Sequence, residues 1–344
     1  MYFIGVDHHK QASVMTVVDK DGLEVKTGKV LNRRAKVEFF LSGIRPCRAV
    51  VEAGRSSYVM ADLLRELGGE VKMANPAEVK AIAHARIKTD KRDSRTLAHL
   101  LRAGLIPEVY QREAWNRRAQ RVMRMRAFWV RKETEIKNKI RALLAQQGEE
   151  VRGEVERRED GLFGSKGLEF LRKLALEGRD KEVLDDLLRG YEELGAHIKN
   201  SDGIVRALFK ELEEASRIDS VPGFATTLSV LTAVEIADVS RFPRVEQLHA
   251  YAGVIPSTYS SGERTYHGRI TKQGNAWLRW AVVEAVYPAI KKDLALRVLY
   301  NRLARRKGAN TAKIAVARRL LTIIYRILRE KREYIPEMNE SSAA

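Results

Sequence analysis

The sequence predicts an α/β domain followed by two largely helical domains. Short β-rich segments alternate with amphipathic segments up to about residue 108. Proline is then absent between Pro107 and Pro222, where Glu, Lys, Arg, Leu and Ala dominate, and the remainder is mostly helical in pattern with a Gly-, Ser- and Thr-rich insert at 253–275. A chain of 344 residues is expected to form two or three domains. We therefore predict boundaries that give domains at 1–110, 111–215 and 216–335.

The first domain is predicted to contain a mixed sheet with helices packed on it. Three β-rich segments precede the first amphipathic segment, and the later strands and helices alternate, so the order is β-β-β-α-β-α-β-α. This order disfavours a doubly wound nucleotide-binding fold. The predicted strands cover 2–7, 12–19, 23–30, 47–53 and 70–74, and the predicted helices cover 36–44, 56–69 and a segment that Asn75-Pro76 opens.

The second domain, 111–215, has apolar residues at three- and four-residue spacing and is predicted to form two or more long helices. Breaks are expected near Gly148 and in the glycine-rich stretch 161–167. The segment 111–147 contains eleven Arg or Lys and three Glu. The last helices of the third domain, at 301–335, contain eleven basic and two acidic residues.

Charge and composition restrict the possible partners. A net charge of +18 in a chain that is 44% hydrophobic indicates a folded protein with a polyanionic partner. Nucleic acid is the first expectation and an acidic membrane surface the rival. The single Cys47 excludes intrachain disulfides and Cys-rich zinc sites. Asp7 comes too early for a signal peptide, and no apolar run approaches the roughly 20 residues of a membrane span. We expect a cytoplasmic protein that does not enter a membrane.

Four acidic residues of the first domain stand at positions that suit a metal site. Asp7 and Glu52 end apolar strands, and Asp90 and Asp93 are three residues apart on one face of a helix. Any one of them could be an ordinary cap. Together they predict a divalent-metal site, because magnesium takes oxygen ligands and two such ions assist phosphoryl transfer. The frame resembles the ribonuclease H/RuvC-like nuclease fold. The pair His8-His9 has no further histidine at ligand spacing and is expected at the surface or behind the ligands.

The third domain contains two segments that could bind or react with a phosphate group. The helix–turn–helix pattern at 218–236 carries a Pro-Gly turn, which either cradles a phosphate or only joins two helices. Ser260 and Ser261 precede Gly262, and basic residues follow. A serine hydroxyl is a weak nucleophile unless cations or a metal stabilise its alkoxide. Taken alone, most Ser-Ser-Gly turns only connect helices.

Motifs from the whole chain, in order, resemble those of the IS110-family (DEDD) transposases of bacterial and archaeal insertion sequences. The motifs are GVDHHK, VVEAG, KTDKRDSRTLA, SVPGF and YAGVIPSTYSSGERTYHGRITKQGNAWLR. The resemblance implies a RuvC-like domain, a coiled-coil middle and a small C-terminal transposase domain. It assigns metal binding to Asp7, Glu52, Asp90 and Asp93. It assigns the nucleophile to Ser261, with Ser260 as the alternative. The Gly-Glu-Arg that follows departs from many relatives, which have a second glycine or a small polar residue there.

The same resemblance implies the partners. It predicts donor and target DNA and a guide (bridge) RNA, Mg²⁺ or Mn²⁺ as cofactor, a dimer or tetramer, and a prokaryotic, nucleoid-associated location. No nucleotide cofactor is expected, and the sequence has no Walker-type loop. Trp115, Phe128 and Trp129 either stack on bases or belong to a helical core. The predicted phosphate contacts are Arg264, Arg269, Lys272, Arg279, Arg117, Arg118, Arg121 and Arg124.

The sequence therefore predicts a DNA recombinase that moves an insertion sequence through a covalent phosphoserine intermediate. A second hypothesis is a RuvC-like structure-specific nuclease that uses metal-activated water, with Ser261 in a structural role. A third is a catalytically silent DNA- or RNA-binding protein.

Overall fold

A computed structural model describes residues 1–83, 89–261 and 264–336, with the backbone alone described at 258–261, 264–267 and 269 in one hairpin. The chain divides into two compact units, Met1–Arg112 and Glu113–Ala344. The further division of the second unit at 215/216 stays a prediction.

The first unit contains a mixed five-stranded sheet, as the sequence predicts, and its elements follow the predicted order. Each predicted strand reappears within two residues of its expected ends. The elements are β1 Tyr2–His8, β2 Ala12–Val18, β3 Glu24–Leu31, α1 Arg34–Phe40, β4 Cys47–Glu52, α2 Ser57–Glu66, β5 Glu70–Ala74, α3 Pro76–Ile82 and α4 Asp90–Arg102.

The strands lie in the order β3-β2-β1-β4-β5. Strands β1, β2 and β3 pair antiparallel because short turns connect them, whereas β4 and β5 run parallel to β1 because helices connect them. The central strand β1 pairs Val6 with Val51 of β4 and with Met15 of β2. The carboxyl ends of β1, β4 and β5 therefore meet at one edge of the sheet.

The two faces of the sheet bury different helices. Ile4 and Val6 point to the face that α1 and α2 cover, in a cluster with Val37 and Leu64. Successive strand residues alternate between faces. The opposite face carries Val50 and packs against α3 and α4, chiefly through apolar residues of those helices such as Val79, Leu97 and Leu101.

Helix α4 approaches the sheet at a glycine. A Cβ on Gly5 would lie 1.9 Å from the Ser94 carbonyl oxygen and 2.5 Å from the Ala98 backbone nitrogen, so no larger residue fits there. The Ser94 hydroxyl is buried and lies 2.8 Å from Oγ1 of Thr16, which in turn lies 2.9 Å from Oγ1 of Thr27. These contacts fix the first two turns of α4 against β1 and β2.

Among its described residues, the second unit forms helices and one hairpin. That hairpin, β6 and β7, occupies the Gly-, Ser- and Thr-rich insert, for which the sequence predicts only a turn. The elements are α5 Ala114–Leu144, α6 Glu149–Glu156, α7 Ser165–Lys173, α8 Asp180–Glu211, α9 Glu213–Asp219, α10 Thr226–Ile236, α11 Val245–Ala252, β6 Pro256–Ser261, β7 Arg264–Ile270, α12 Ala276–Glu284, α13 Val286–Lys292, α14 Leu294–Lys307 and α15 Ala309–Glu330.

Helices α5 and α8 pack antiparallel within the chain. The Trp129 ring stacks on His197 with centroids 4.5 Å apart, and the Arg126 guanidinium donates to Asp202 at 2.5 Å. Where α5 ends and α8 begins, the Gln147 side chain donates to Asp180 at 2.8 Å. Trp129 thus belongs to the helix pair, whereas Trp115 and Phe128 are 42% and 37% exposed.

The Pro-Gly turn between α9 and α10 is packed against other helices. Gly223 has φ +91°, and a Cβ there would lie 2.2 Å from the Ala285 carbonyl oxygen and 2.8 Å from the Ala289 nitrogen. Val221 and Phe224 on either side are buried. This packing favours the interhelical role of the turn over the phosphate cradle.

Within the described part of the chain, every helix is too short or too polar to cross a lipid bilayer.

We predict that Gly5→Ala lowers the melting temperature of the first unit. The added methyl group must push α4 away from β1, and overpacking of this kind costs about 1–3 kcal/mol. Calorimetric unfolding of the full chain measures the effect. Gly54→Ala is the control, because a Cβ there meets nothing within 4 Å. Equal melting temperatures for the two variants would contradict the close approach.

Candidate metal centre and serine hairpin

Two acidic residues stand side by side at the carboxyl ends of β1 and β4. The parallel register pairs Val6 with Val51, so the next residues, Asp7 and Glu52, lie at the same level of the sheet. Asp7 is two residues after Gly5, and alternation therefore places it on the face that α4 covers. Glu52 lies on that face by the same rule. Both side chains are half-buried.

The start of α4 brings Asp90 to this edge. The His9 Nε2 atom lies 3.3 Å from Oδ2 of Asp7 and 3.3 Å from Oδ2 of Asp90. Among the described residues, these three offer ligand atoms that all lie within 4.8 Å of one another. Glu52 and Asp93 lie outside that group. Asp93, in the same first turn of α4, is half-buried.

A hydrogen-bond network fixes the turn that carries His9. The His8 ring lies 2.9 Å from the Ser13 hydroxyl through Nδ1 and 3.2 Å from the Ser56 hydroxyl through Nε2. Ser13 donates to Asn32 Oδ1 at 2.7 Å, and Asn32 Nδ2 donates to the His9 carbonyl oxygen at 2.6 Å. Because the Ser13 proton goes to Asn32, the His8 Nδ1 must donate to Ser13.

Burial, and to a lesser extent the neighbouring His9, lowers the pKa of His8 below its ordinary value. His8 is therefore neutral near pH 7 and serves the network. His9, by contrast, is directed at the carboxylates. Its position between Asp7 and Asp90 is the feature that sequence reasoning missed, because it depends on where α4 begins relative to the β1–β2 turn.

The donor set suits a divalent cation. Carboxylate oxygens bind hard cations, and a neutral imidazole nitrogen is a common ligand of divalent transition metals. The ligand atoms of the three residues lie within 4.8 Å of one another, so one ion placed between them can contact all three groups. Beside this cluster lies a groove of about 580 Å³ whose lining includes Lys10 and Lys29. Lysine side chains of this kind can bind phosphate oxygens, and the neighbouring carboxylates can bind a cation.

The predicted nucleophiles lie in the β6–β7 hairpin. Ser260 pairs with Thr265, and Ser261 pairs with Arg264. Gly262 of the predicted Ser-Ser-Gly turn and the next residue, Glu263, lie outside the described residues, and so do the side chains of Ser260, Ser261, Arg264 and Arg269. The backbone thus places the serines at the end of β6.

Arg279 of α12 contacts the base of this hairpin. Its Nη1 donates to the Ala252 carbonyl oxygen at 3.0 Å and to the Lys272 carbonyl oxygen at 3.2 Å. Arg279 is predicted to contact phosphate. In the structure, its Nη1 atom links the backbone just before β6 to the backbone just after β7. The Lys272 side chain is exposed.

A buried carboxylate anchors the segment between β7 and α12. Glu235 of α10 is fully buried and accepts hydrogen bonds from Asn275 at 2.7 Å and from Gln120 of α5 at 2.8 Å. Asn275 also caps α12, since its side chain accepts from the backbone nitrogens of Trp277 and Leu278. A buried carboxylate requires such partners, because desolvation of an unpaired charge costs several kcal/mol.

The predicted phosphate contacts of α5 differ in exposure. Arg118, Arg121 and Arg124 are exposed, and Arg117 is half-buried. Arg124 also lies 3.4 Å from Glu235 through Nη2. The start of α5 thus presents at least three arginines to solvent.

Two family models match segments of this chain. Residues 215–301 match the model described as Transposase IS116/IS110/IS902 family, and residues 4–148 match a second transposase model, named for the DEDD enzymes of IS110. The first match covers the hairpin with both serines, and the second covers all four acids.

Whole-length relatives show the same similarity. The transposase for insertion sequence element IS1111A of Coxiella burnetii is 26% identical, over 96% of this chain and 90% of that protein. A probable family 20 transposase of Pseudomonas aeruginosa is 26% identical over 97% and 98%. The transposase for insertion sequence element IS1328 of Yersinia enterocolitica is 23% identical over 82% and 81%.

We predict that Asn275→Ala loosens the hairpin. The change removes the α12 cap, which costs about 0.5–2 kcal/mol, and one partner of the buried Glu235. Backbone amides at 256–270 should exchange hydrogen several-fold faster, as mass spectrometry would measure. Asn301→Ala, at an exposed position of α14, is the control. Unchanged exchange at 256–270 would show that Asn275 does not hold the hairpin.

Proposed function

The chain belongs to the IS116/IS110/IS902 family of insertion-sequence transposases, and we propose that it moves its element by attack of Ser261 on DNA phosphodiesters. Family membership implies DNA as substrate and a divalent metal as cofactor. The observation that best supports the proposed chemistry is the position of Asp7 and Asp90, with one oxygen of each 3.3 Å from the same imidazole nitrogen.

The finer architecture is part of the proposal. The strand order 3-2-1-4-5, with three antiparallel strands followed by two parallel ones, supports a RuvC/RNase H-like first domain. The antiparallel pair α5 and α8 supports a coiled-coil region at 111–215. The hairpin and the helices around it would form the transposase domain at 216–335.

We assign Asp7, Glu52, Asp90 and Asp93 to cation binding, with Mg²⁺ or Mn²⁺ as the ion. A bound divalent cation would polarise the scissile phosphate and stabilise the negative charge that develops there. Together the four carboxylates would supply the negative charge that holds the cation. Lys10 and Lys29 of the adjoining groove would hold the DNA backbone beside it.

The serine step conserves phosphodiester bonds. The Ser261 oxygen forms a bond to phosphorus, and one phosphorus–oxygen bond of the DNA breaks, so that a DNA hydroxyl leaves with a proton. A hydroxyl of the other strand then attacks the phosphoserine, and Ser261 regains its proton. No nucleotide cofactor is required, because each bond broken is replaced by an equivalent one.

We predict that Asp7→Asn and Ser261→Ala both abolish strand cleavage, for different reasons. Asp7→Asn removes a charged cation ligand, so cation affinity falls together with cleavage. Ser261→Ala retains cation and DNA binding but forms no protein–DNA adduct. Denaturing electrophoresis before and after protease treatment measures the adduct, and Mn²⁺ titration measures the cation.

Cleavage by Ser261→Ala at a near wild-type rate and without a protein–DNA adduct would overturn the serine mechanism in favour of hydrolysis by a RuvC-like nuclease. An active Ser261→Ala that still forms adducts, with an inactive Ser260→Ala, would move the nucleophile to Ser260. Absence of any metal-dependent cleavage by the wild type would favour a silent nucleic-acid-binding protein.

We further propose a guide (bridge) RNA as partner. The arginines Arg117, Arg118, Arg121 and Arg124 near the start of α5 support it, because A-form RNA is bound mainly through phosphates and shape. The basic helices α14 and α15 would add contacts. The proposed contacts to DNA phosphate are Lys272, Arg264, Arg269 and Arg279.

We propose that the protein acts as a dimer or tetramer on DNA. We also propose that it lies in the cytoplasm and associates with the nucleoid.

We predict that protein purified from its native host carries a discrete RNA. Binding should weaken steeply with salt, since each phosphate contact releases counterions. The double variant with Arg118→Ala and Arg121→Ala should make the slope of log affinity against log salt concentration less negative by about 1–2. RNA sequencing of purified protein and filter binding at several salt concentrations test this. Recovery of background RNA alone, with DNA recognition that needs no RNA, would contradict the guide.

A further inference from the structure

We infer that His9 is a nitrogen ligand of the cation at Asp7 and Asp90, and that this nitrogen makes the centre prefer a transition-metal ion such as Mn²⁺ over Mg²⁺. The inference rests on the proposed function, which places a cation at these carboxylates. It adds a ligand of a different chemical class to a set that is otherwise all carboxylate.

The distances support a ligand. His9 Nε2 lies 3.3 Å from one oxygen of Asp7 and 3.3 Å from one oxygen of Asp90. Neighbouring ligand atoms of an octahedral ion lie about 3.0 Å apart when the metal–ligand bonds are about 2.1 Å. His9 Nε2 is therefore spaced from each carboxylate oxygen as an adjacent ligand would be, and the ligand atoms of all three groups lie within 4.8 Å of one another.

The His9 backbone is held in place before any ion binds. Asn32 Nδ2 donates to the His9 carbonyl oxygen at 2.6 Å, and the Asn32 backbone nitrogen donates to the Gln11 carbonyl oxygen at 3.0 Å. The His8 ring, held by Ser13 and Ser56, is directed elsewhere. A fixed turn that aims one histidine of the pair at two carboxylates reduces the entropy that ligand binding must overcome.

The chemistry of imidazole gives the selectivity. Imidazole nitrogen is a ligand of divalent transition metals, and Mn²⁺ accepts it in addition to the carboxylate and water ligands that it shares with Mg²⁺, whereas Mg²⁺ takes oxygen ligands and keeps several waters. Loss of His9 should therefore weaken Mn²⁺ binding and leave Mg²⁺ binding almost unchanged.

The alternative role for His9 is that of a counter-charge. A protonated imidazole between two carboxylates would compete with any cation, so its removal would strengthen the binding of Mn²⁺ and Mg²⁺ alike. The two roles thus predict opposite signs for the same substitution.

The experiment uses the full-length protein and Mn²⁺ as the probe. Electron paramagnetic resonance measures bound Mn²⁺ during titration, and competition with Mg²⁺ gives the second affinity. For His9→Ala we expect a Mn²⁺ affinity lower by about 10- to 100-fold, in the range observed when groups around a metal site are removed. His99→Ala, in the last turn of the same α4, is the matched control and should bind both ions as the wild type does.

Direct coordination has its own readout. In wild-type protein labelled with ¹⁵N-histidine, electron spin echo modulation of bound Mn²⁺ should show a ¹⁵N coupling that His9→Ala lacks. Unchanged or tighter Mn²⁺ binding by His9→Ala, or no histidine coupling in the wild type, would overturn the inference.

The carboxylate site is tested separately with Asp7→Asn. If Asp7→Asn weakens Mn²⁺ binding while His9→Ala does not, the proposed metal site stands and only the role of His9 is wrong. If the wild type and Asp7→Asn bind Mn²⁺ equally weakly, both the proposed site and this inference are contradicted.

Discussion

The candidate metal centre depends on how closely α4 approaches β1. The backbone of Ser94 and Ala98 occupies the space that any side chain at Gly5 would need, and the buried Ser94 hydroxyl fixes the rotation of the helix by its hydrogen bond to Thr16. This packing sets the position of the first residue of α4, Asp90, relative to Asp7 at the end of the strand. Metal ligands must be held to within roughly 0.5 Å, so a shift of the helix by one side chain would separate the carboxylates. The geometry of the site therefore follows from a contact two residues away from it along β1.

The second unit solves a similar problem with a buried charge. Glu235 is fully buried, and its hydrogen bonds to Gln120 and Asn275 join α5, α10 and the start of α12. Arg279 then connects the two ends of the serine hairpin through backbone carbonyls. The segment that carries the proposed nucleophile is thus attached to the helix that carries the proposed RNA-binding arginines. Removal of one partner from such a network costs more than the hydrogen bond itself, because a buried carboxylate is left with fewer donors and no water to replace the lost one.

Local features of this structure were predictable, and contacts between distant segments were not. Alternation and helical periodicity predict the five strands and the helices of the first unit, and they place Asp7 and Glu52 at strand ends because that position is a property of the strand alone. The approach of His9 to Asp90 depends on the path of a turn and on the start of a helix 81 residues later, which no local pattern records. The β6–β7 hairpin is rich in small polar residues, so its composition indicates a turn rather than strands. Arg279 also depends on distant contacts. Its charge predicts a phosphate contact, whereas in the structure at least one of its nitrogens donates to backbone carbonyl oxygens.

We propose that the acids at the ends of β1 and β4 and at the start of α4 form one cation site for DNA cleavage. Anomalous X-ray scattering from crystals grown with Mn²⁺ tests it most directly, because it locates the ion without reference to activity. We expect an anomalous peak between the carboxylates of Asp7 and Asp90, with Glu52 and Asp93 beside it. A protein that cleaves DNA with Mn²⁺ in solution, but whose crystals show an ion elsewhere and none at Asp7 and Asp90, would contradict it.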